Sequence, residues 1–345
     1  MTKIKDMLKS DETLFKNREV FDPEHIPEEF LYRDAQLQEL ASYIKPGIKG
    51  ERPTNTFIFG PPSTGKTTAV KKIFKEVRKE SNKIALIHVN CQLNSSIYKI
   101  FSKIHRQVIG HEPPETGVPL SKVMDKIFKN LKKKEKSLLI ALDDINFLPK
   151  STMNDVMYKI LRAHEQYPKI KTATWLISTE KILHLLEERV RSIFTPREVT
   201  FNKYSFKEMV QIMQKRTKNG LYANVLSKKL LEKIIENSKD LREAIELTKQ
   251  SILTAENEAS KKIKEKHIDK VMDNFNPKDI DSIEEKILDL IREKDITTGD
   301  LFKKLNIEKS YSSFYRLLKK MNKKDLIEFE SVKKGKGKSR LVKKA

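Results

Sequence analysis

The chain has 345 residues, with 70 Lys or Arg against 48 Asp or Glu, so its formal net charge is +22. At roughly 150 residues per domain, this length predicts two or three domains. No apolar run approaches the roughly 18 to 20 residues of a membrane span, and the first residues do not form a signal peptide. The single cysteine, Cys91, is expected to be buried, and it excludes a disulfide framework or a thiolate zinc site.

Between about residues 21 and 200, short apolar runs alternate with helical patterns. Strands that alternate with helices form βαβ units, so this stretch predicts a mostly parallel sheet covered by helices on both faces. The predicted strands are TFIFG (56–60), IALIHV (84–89), SLLIAL (137–142), TATWLIS (172–178) and, as a fifth candidate, VTF (199–201).

A phosphate-binding loop follows the first predicted strand. GPPSTGKT (60–67) matches the GxxxxGK[ST] pattern and lies between an apolar strand and a helix, which is the context that the motif requires. Its backbone N–H groups and the helix N-terminus attract phosphates, Lys66 reaches the outer phosphates, and the Thr67 hydroxyl is a ligand for Mg²⁺. The predicted nucleotide-binding residues are Gly60, Pro61, Pro62, Ser63, Thr64, Gly65, Lys66, Thr67 and Thr68.

Two carboxylates follow the third predicted strand. Asp143 comes after five apolar residues in SLLIALDD, so we expect it to bind Mg²⁺ together with Thr67. Asp144 is next to it, where a general base would orient the attacking water. Paired aspartates also end strands and begin turns, and for Asp144 this simpler explanation stays open.

Three further residues are candidates for catalysis. Thr179 follows the fourth predicted strand, where a hydroxyl would contact the γ-phosphate or the water. Arg189 in LLEERVRSIF and Arg242 in KDLREAIEL carry guanidinium groups, which are worth about 10³ to 10⁵ in rate when they neutralise a transferring phosphoryl group. An ordinary strand end for Thr179 and a solvated helix end for Arg189 remain alternatives.

The rest of the chain has two other patterns. Residues 205–275 carry apolar positions only at helical spacing, which predicts a small helical bundle. After a polar linker around Pro277, three predicted helices, with Thr298 as an N-cap of the second, precede two short strands. The strands, LIEFESV and SRLVKKA, flank KKGKGK, and this layout is typical of a winged helix.

The last thirty residues, from Arg316 to Ala345, hold twelve Lys or Arg and three acids, a net charge of +9. Such a located basic patch indicates binding to nucleic acid, although a solvated tail is the alternative. The third helix would contact base edges and the hairpin would contact phosphates. The candidate DNA-binding residues are Ser312, Ser313, Arg316, Lys333, Lys334, Lys336, Lys338 and Arg340.

The chain resembles the AAA+ initiators of archaeal replication in the order of its motifs. These are the phosphate loop, the paired acids, the polar strand end, RVRS, DLREA and the winged helix. The initiators of this family are relatives of the largest origin-recognition-complex subunit and of the helicase-loading cell-division-cycle protein. The resemblance covers the chain from about residue 21 onward. It implies an α/β fold, with an AAA+ P-loop ATPase core (1–201, a parallel sheet between helices), a small all-α lid domain (202–277) and a C-terminal winged-helix domain (278–345).

The resemblance also implies roles for single residues. Thr179 corresponds to the family's sensor, usually Asn, Arg189 to the arginine finger that reaches a neighbouring subunit's nucleotide, and Arg242 to the lid sensor. Ile26 and Tyr204 lie in segments that enclose the base in such proteins. The insertion HEPPETGVPLSKVMDKIFKNL is similar to the helical insertion with which initiator ATPases contact DNA.

Two residues depart from the family's pattern. Asp144 stands where Glu is usual, and Ser63 stands where Gly is commoner. Each change would slow hydrolysis without abolishing binding, so we expect tight binding of ATP or ADP and slow turnover.

The implied function is that of an ATP-regulated initiator in the cytoplasm, associated with the nucleoid and not with a membrane. It would bind double-stranded DNA at replication origins, form a homo-oligomer there, and help to recruit the replicative minichromosome-maintenance helicase. An ATP-gated winged-helix transcription regulator and a clamp-loader-like remodelling ATPase remain alternatives, although the second leaves the basic hairpin unexplained.

Overall fold

The computed structural model describes residues 13–114, 117–275, 286–291, 296–305, 311–323, 326–334 and 337–344. The chain forms two compact units, the first ending at Lys264 and the second beginning at Glu265, and each is described by itself. Among the described residues, no helix has both the length and the apolar character that crossing a bilayer requires.

A five-stranded parallel sheet forms the centre of the first unit, as the sequence predicts. Its strands lie in the order β2-β3-β4-β1-β5, and every neighbouring pair is parallel. All residues of β3 and β4 are buried, because helices cover both faces of the sheet. The strands are β1 (Thr56–Phe59), β2 (Ile84–Asn90), β3 (Ser137–Asp143), β4 (Thr172–Ser178) and β5 (Arg197–Thr200).

Five helices pack on this sheet. On one face α1 and α2 bury Leu40 and Phe74 against Trp175 of β4, and on the other face α3, α4 and α5 bury Phe101 and Phe128. The helices are α1 (Asp34–Ile48), α2 (Lys66–Glu80), α3 (Ile97–Ile109), α4 (Leu120–Lys133) and α5 (Lys150–Leu161); single turns are Arg18–Phe21, Ile145–Phe147, Ala163–Gln166, Leu183–Leu185 and Glu188–Arg191. The stretch predicted as a DNA-contacting insertion, HEPPETGVPLSKVMDKIFKNL, contains most of α4, whose Ile127 and Phe128 are buried in the core of this face.

Three helices follow the sheet, and we call them the lid helices: α6 (Phe206–Gly220), α7 (Lys228–Glu236) and α8 (Leu241–Asn257). Each begins at a side-chain cap, Ser205, Ser227 or Asp240, which satisfies backbone N–H groups of the first turn. Met213 and Leu231 lie in their shared apolar cluster. The predicted helical bundle is thus present in this part of the chain.

The segment before α1, residues 13–33, packs on the lid helices, and we call it the strap. Phe15 forms a β-bridge with Leu221, and Phe21 is fully buried. The Phe21 ring lies so close to Gly220 that a Cβ there would stand 2.4 Å from it, so this contact requires glycine. The Arg216 guanidinium also donates a hydrogen bond to the carbonyl of Val20.

The second unit combines helices with a small antiparallel sheet of order β6-β8-β7. Leu301, Phe314, Leu318 and Val342 are buried in its apolar cluster. Its helices are Glu265–Phe275, 286–291, Thr298–Leu305 and Tyr311–Lys323, and its strands are β6 (Ile296–Thr297), β7 (Ile327–Lys334) and β8 (Gly337–Lys344).

Three details of this unit differ from the prediction. The side chain of Thr297, not Thr298, accepts the hydrogen bond from the amide of Asp300 and so caps the helix. Cross-strand pairing continues to Lys334 on β7 and begins at Gly337 on β8. Four of the six residues of KKGKGK therefore lie in strands and not in the loop. The strand β6 was not predicted, because two residues are too few to show a period.

Candidate nucleotide-binding site

The phosphate loop connects the end of β1 to the start of α2, and two glycines allow its path. A Cβ on Gly60 would stand 2.1 Å from the carbonyl oxygen of Phe201, so only glycine allows this approach. Gly65 has a φ of 91° just before the helix, in the region that favours glycine. Ser63, where glycine is commoner, also has a positive φ of 60°, a conformation that costs a residue with a side chain about 1 to 2 kcal/mol.

The Lys66 ammonium lies inside this loop. The residue is 7% exposed, and its Nζ donates hydrogen bonds to the carbonyls of Gly60 (2.6 Å) and Pro61 (2.8 Å). Burial lowers the pKa of Lys66, and the carboxylates of Asp143 and Asp144 oppose this shift. The amine therefore lies among the loop residues, where a phosphate oxygen can replace the two carbonyls as its acceptor.

Thr67 and Asp143 are 76 positions apart in the sequence and touch in the fold. The Thr67 hydroxyl donates a hydrogen bond of 2.8 Å to Asp143 Oδ2, because β1 and β3 end at the same edge of the sheet. The same oxygen lies 2.9 Å from Nε2 of His88 on β2, a residue that the sequence analysis missed. The neighbouring Cys91 is fully buried as expected, and its burial beside both acids raises the pKa of the thiol.

The environment of Asp143 fits a divalent cation. Asp143 is 1% exposed, and within the described ranges no Lys or Arg forms an ion pair with its carboxylate. Buried carboxylates are normally paired or bound to metal. The described residues contain no group of three His, Cys, Asp or Glu that would hold a metal alone. This donor set suits Mg²⁺, which usually takes one or two carboxylates and completes its shell with phosphates and water.

Asp144 follows Asp143 directly and has a left-handed backbone conformation. Its φ is 55°, which turns the chain directly after β3. The side-chain amide of Asn90 on β2 donates a hydrogen bond of 3.1 Å to Asp144 Oδ2. Burial, and next the charge of Asp143, raise the pKa of Asp144, while the Asn90 hydrogen bond lowers it. The carboxyl thus has a raised proton affinity, which suits a group that accepts a proton from water.

Two other predicted residues lie near the loop. Ser178, the last residue of β4, pairs with Phe59 next to the loop, and Thr179 follows it at this same edge. Arg242, in the first turn of α8, is close enough that its charge lowers the pKa of both Lys66 and Asp144. The lid helices therefore bring one guanidinium to the phosphate side of the site.

Arg189 is on the surface and has carboxylate partners of its own chain. Its guanidinium forms ion pairs of 2.8 Å with Asp155 and with Glu187, and it lies 5.2 Å over the ring of Tyr158. These contacts raise the pKa of Arg189, with the Glu187 hydrogen bond as the largest cause. In the described part of the chain, Arg189 forms no hydrogen bond or ion pair with the phosphate loop or with Asp144.

The segments expected to enclose the base flank the loop. Ile26 is half-buried in the strap, two residues after Glu24, which pairs with Lys71 of α2 at 2.7 Å. Tyr204 lies between β5 and α6, and its hydroxyl would be 3.2 Å from a Cβ on Gly65. Burial raises the pKa of the Tyr204 phenol.

The candidate DNA-binding residues are only partly described. Lys336 lies outside the described residues, as do the side chains of most of the others: Ser312, Ser313, Arg316, Lys333, Lys334 and Lys338. Arg340 on β8 is exposed, and its guanidinium lies 5.6 Å from the ring centre of Tyr315. The hairpin register pairs Lys333 with Lys338, which puts two of the candidate residues on opposite strands.

Fold and site together define an ATPase of the AAA class with an added lid. A family model of the AAA ATPase domain matches residues 29–171, and a model of the Cdc6 AAA+ ATPase-type lid domain matches residues 210–273. The nucleotide is therefore ATP or ADP. The chain belongs to the family of ORC1-type DNA replication proteins, which are replication initiators.

Relatives match this chain over nearly its full length. The ORC1-type DNA replication protein 2 of Methanothermobacter thermautotrophicus is 36% identical over 98% of this chain and 94% of its own. The protein of the same description from Methanosarcina acetivorans is 34% identical over 98% of this chain and 95% of its own.

Solved structures share the fold at lower identity. The Aeropyrum pernix ORC1 protein in complex with DNA has a TM-score of 0.72 at 21% identity and covers 97% of this chain and 94% of its own. The Aeropyrum pernix ORC2 protein, in ADPNP–ADP complexes, has a TM-score of 0.66 at 23% identity over 96% of this chain and 94% of its own.

Proposed function

We propose that this chain is an ATP-regulated replication initiator that binds double-stranded DNA at origins and helps to recruit the replicative minichromosome-maintenance helicase. The observation that carries the proposal is the length of the ORC1-type match, which includes both the nucleotide site and the basic C-terminal residues in one alignment over 98% of the chain. The proposal includes a homo-oligomer on DNA and association with the nucleoid.

The proposed division of labour follows the predicted domains. Residues 1–201 bind the nucleotide, 202–277 form the lid, and 278–345 form a winged helix that contacts the duplex. Helices combined with a three-stranded antiparallel sheet, in which β7 and β8 follow the last helix, support the last assignment. The Aeropyrum pernix ORC1 structure, which contains DNA, supports DNA binding by a protein of this fold.

The side chains around the nucleotide have separate roles in phosphate binding, Mg²⁺ binding and hydrolysis. Lys66 exchanges its two loop carbonyls for phosphate oxygens, and Thr67 with Asp143 would hold Mg²⁺, which supplies positive charge to the phosphates. Asp144 accepts a proton from the attacking water, and Thr179 and Arg242 orient the γ-phosphate. Because Asp144 is held by Asn90 and is one methylene shorter than glutamate, we expect hydrolysis to be slow.

Nucleotide titration of the full chain tests the first half of this proposal. Lys66→Ala removes a charged hydrogen-bond donor that contributes about 1.5 to 3 kcal/mol, so the Kd for ADP should rise roughly 10- to 150-fold. Lys79→Ala is the matched control, because Lys79 lies on the same helix and pairs with the exposed Glu76. Equal ADP affinity of both variants and the unchanged chain would contradict the proposed site.

Mapping of bound genomic fragments tests the second half. Preference for one or a few origin-like loci supports an initiator, whereas sites scattered over promoters support a transcription regulator. Recruitment of the helicase is tested by co-sedimentation of the purified helicase with the chain on a preferred fragment. Failure of the helicase to sediment above the level seen on DNA alone would remove that part of the proposal.

A further inference from the structure

Arg33, the last residue of the strap, is charged and yet buried beside the phosphate loop. The residue is 4% exposed, and in the described part of the chain it forms no ion pair with Asp or Glu. Burial lowers the pKa of the guanidinium, although the nearby Tyr204 and Glu208 oppose this shift. Burying a charge without a carboxylate partner is costly, so its remaining contacts have to compensate.

Those contacts are three backbone carbonyls in three different segments. Nε donates to the oxygen of Thr64 at 3.0 Å, Nη1 to that of Tyr32 at 2.9 Å, and Nη2 to that of Asn202 at 2.6 Å. Thr64 belongs to the phosphate loop. Asn202 belongs to residues 201–205, which join β5 to the first lid helix and which we call the hinge. One rigid guanidinium fork therefore joins the backbone of the phosphate loop to the backbone of the hinge.

The same side chain also contacts the lid through an aromatic ring. The Arg33 guanidinium lies 3.7 Å from the ring centre of Tyr204, within the distance of a cation–π interaction. Tyr204 is a hinge residue, and it packs against the apolar cluster of the lid helices that contains Met213. Arg33 thus contacts the hinge twice, at the carbonyl of Asn202 and at the aromatic ring of Tyr204.

The residue before Arg33 extends this connection. The Tyr32 hydroxyl donates a hydrogen bond to Gln211 of α6, and Glu29 of the strap forms an ion pair with Lys215 of the same helix. Adjacent strap residues therefore contact the lid on one side and the phosphate loop on the other. A change in the loop at Thr64 has a continuous path of direct contacts to α6.

We propose that Arg33 is a positioning residue that couples the conformation of the phosphate loop to the core–lid hinge, so that nucleotide binding changes the mobility of the lid. The inference rests on the proposed nucleotide site but adds a role that the site residues do not supply. It requires the fork geometry, and not merely a positive charge at this place, because one group has to span the carbonyls of Thr64 and Asn202.

Hydrogen–deuterium exchange of the full chain, with and without saturating ADP and Mg²⁺, tests this coupling. In the unchanged chain, ADP should slow exchange both in the loop (60–68) and in the hinge (201–205). In Arg33→Met, the loop should still be protected at saturating ADP, while protection of the hinge should fall about tenfold, since charged hydrogen bonds are lost there. Arg33→Lys should behave like Arg33→Met, because an ammonium cannot reproduce the fork.

Arg78→Met is the matched control, since Arg78 also donates to a backbone carbonyl, that of Leu86, and burial also lowers its pKa. It should leave hinge protection unchanged. The proposal is overturned if Arg33→Lys restores hinge protection, if Arg33→Met keeps it, or if ADP protects the loop but not the hinge in the unchanged chain. The last of these outcomes is measured on the unchanged chain, so it tests the proposal even if a variant fails to fold. Calorimetry that shows no ADP binding would instead contradict the proposed nucleotide site itself.

Discussion

The side-chain amide of Asn90 donates a hydrogen bond of 3.1 Å to the carboxylate of Asp144, which joins the ends of two neighbouring strands. This contact stabilises the ionised carboxylate, whereas burial and the charge of Asp143 favour the protonated form and together raise its pKa above the ordinary value of 3.8. The balance decides at which pH Asp144 can accept a proton from water.

The pH dependence of single-turnover ATP hydrolysis follows from this balance. A base works only when ionised, so the rate should fall as the pH drops through the raised pKa of Asp144. Asn90→Ala removes a contact that lowers this pKa, so the acid limb should move to higher pH. Asp144→Glu should accelerate hydrolysis by about tenfold, a part of the roughly 10²- to 10⁴-fold that general-base catalysis contributes. A slower or equal rate for Asp144→Glu would contradict the claim that the shorter side chain of Asp144 slows hydrolysis.

The Thr67–Asp143 pair predicts how ADP binding depends on Mg²⁺. Asp143→Asn keeps the shape but removes the charge, so the gain in ADP affinity on adding Mg²⁺ should shrink at least about tenfold, because a metal–carboxylate contact is lost. The measurement is ADP affinity with Mg²⁺ and with a chelator. Asp125→Asn, at a carboxylate that pairs with the surface Lys129, should show the full effect of Mg²⁺.

Arg189 should matter only between subunits. Its ion pairs are exposed, so screening by solvent leaves them little effect on the stability of the chain. Arg189→Ala should therefore leave both folding and ADP affinity nearly unchanged but slow hydrolysis on DNA. Mixing Arg189→Ala with Lys66→Ala should restore part of the hydrolysis rate. The first variant keeps the nucleotide site with Lys66, and the second supplies Arg189 to that site from a neighbouring subunit. A loss of ADP affinity in the isolated Arg189→Ala chain would show that the arginine acts on its own nucleotide.

The basic hairpin should control the salt dependence of DNA binding. Each phosphate contact contributes about 0.9 to the slope of log K against log salt concentration, so alanine at the hairpin lysines should weaken binding and make the slope shallower. The substituted residues are Lys333, Lys334, Lys336 and Lys338, and the control with the same change of charge uses the exposed Lys218, Lys228, Lys229 and Lys239. An unchanged affinity and slope would exclude the hairpin from the interface.

Much of the first unit could be predicted because its signals are local. The phosphate loop and its flanking strand and helix are contiguous. β1 ends at Phe59, where its apolar run stops, and β3 ends at Asp143, one residue after its apolar run. His88 and Asn90 were missed because their proximity to the acids depends on β2 lying next to β3, and strand order is not written in any one segment. Arg33 was missed for the same reason, since its acceptors Thr64 and Asn202 lie 31 and 169 positions away.

The second unit shows where local patterns lose precision. Two consecutive threonines precede one helix, and either hydroxyl suits an N-cap, so only the backbone geometry selects Thr297. The KKGKGK run has the composition of a loop, yet cross-strand pairing extends through Lys333 and Lys338. Tertiary pairing determines these boundaries, and composition does not.

DNA affinity of the full chain in ATP, in ADP and without nucleotide tests the central claim most directly. Allosteric coupling typically changes affinity about 5- to 150-fold, so binding to a preferred genomic fragment should differ between these conditions by an amount in this range. Lys66→Ala should show no such difference. If the unchanged chain binds the fragment with the same affinity in all three conditions although calorimetry shows that ADP and ATP bind, nucleotide does not regulate DNA binding and the account is wrong.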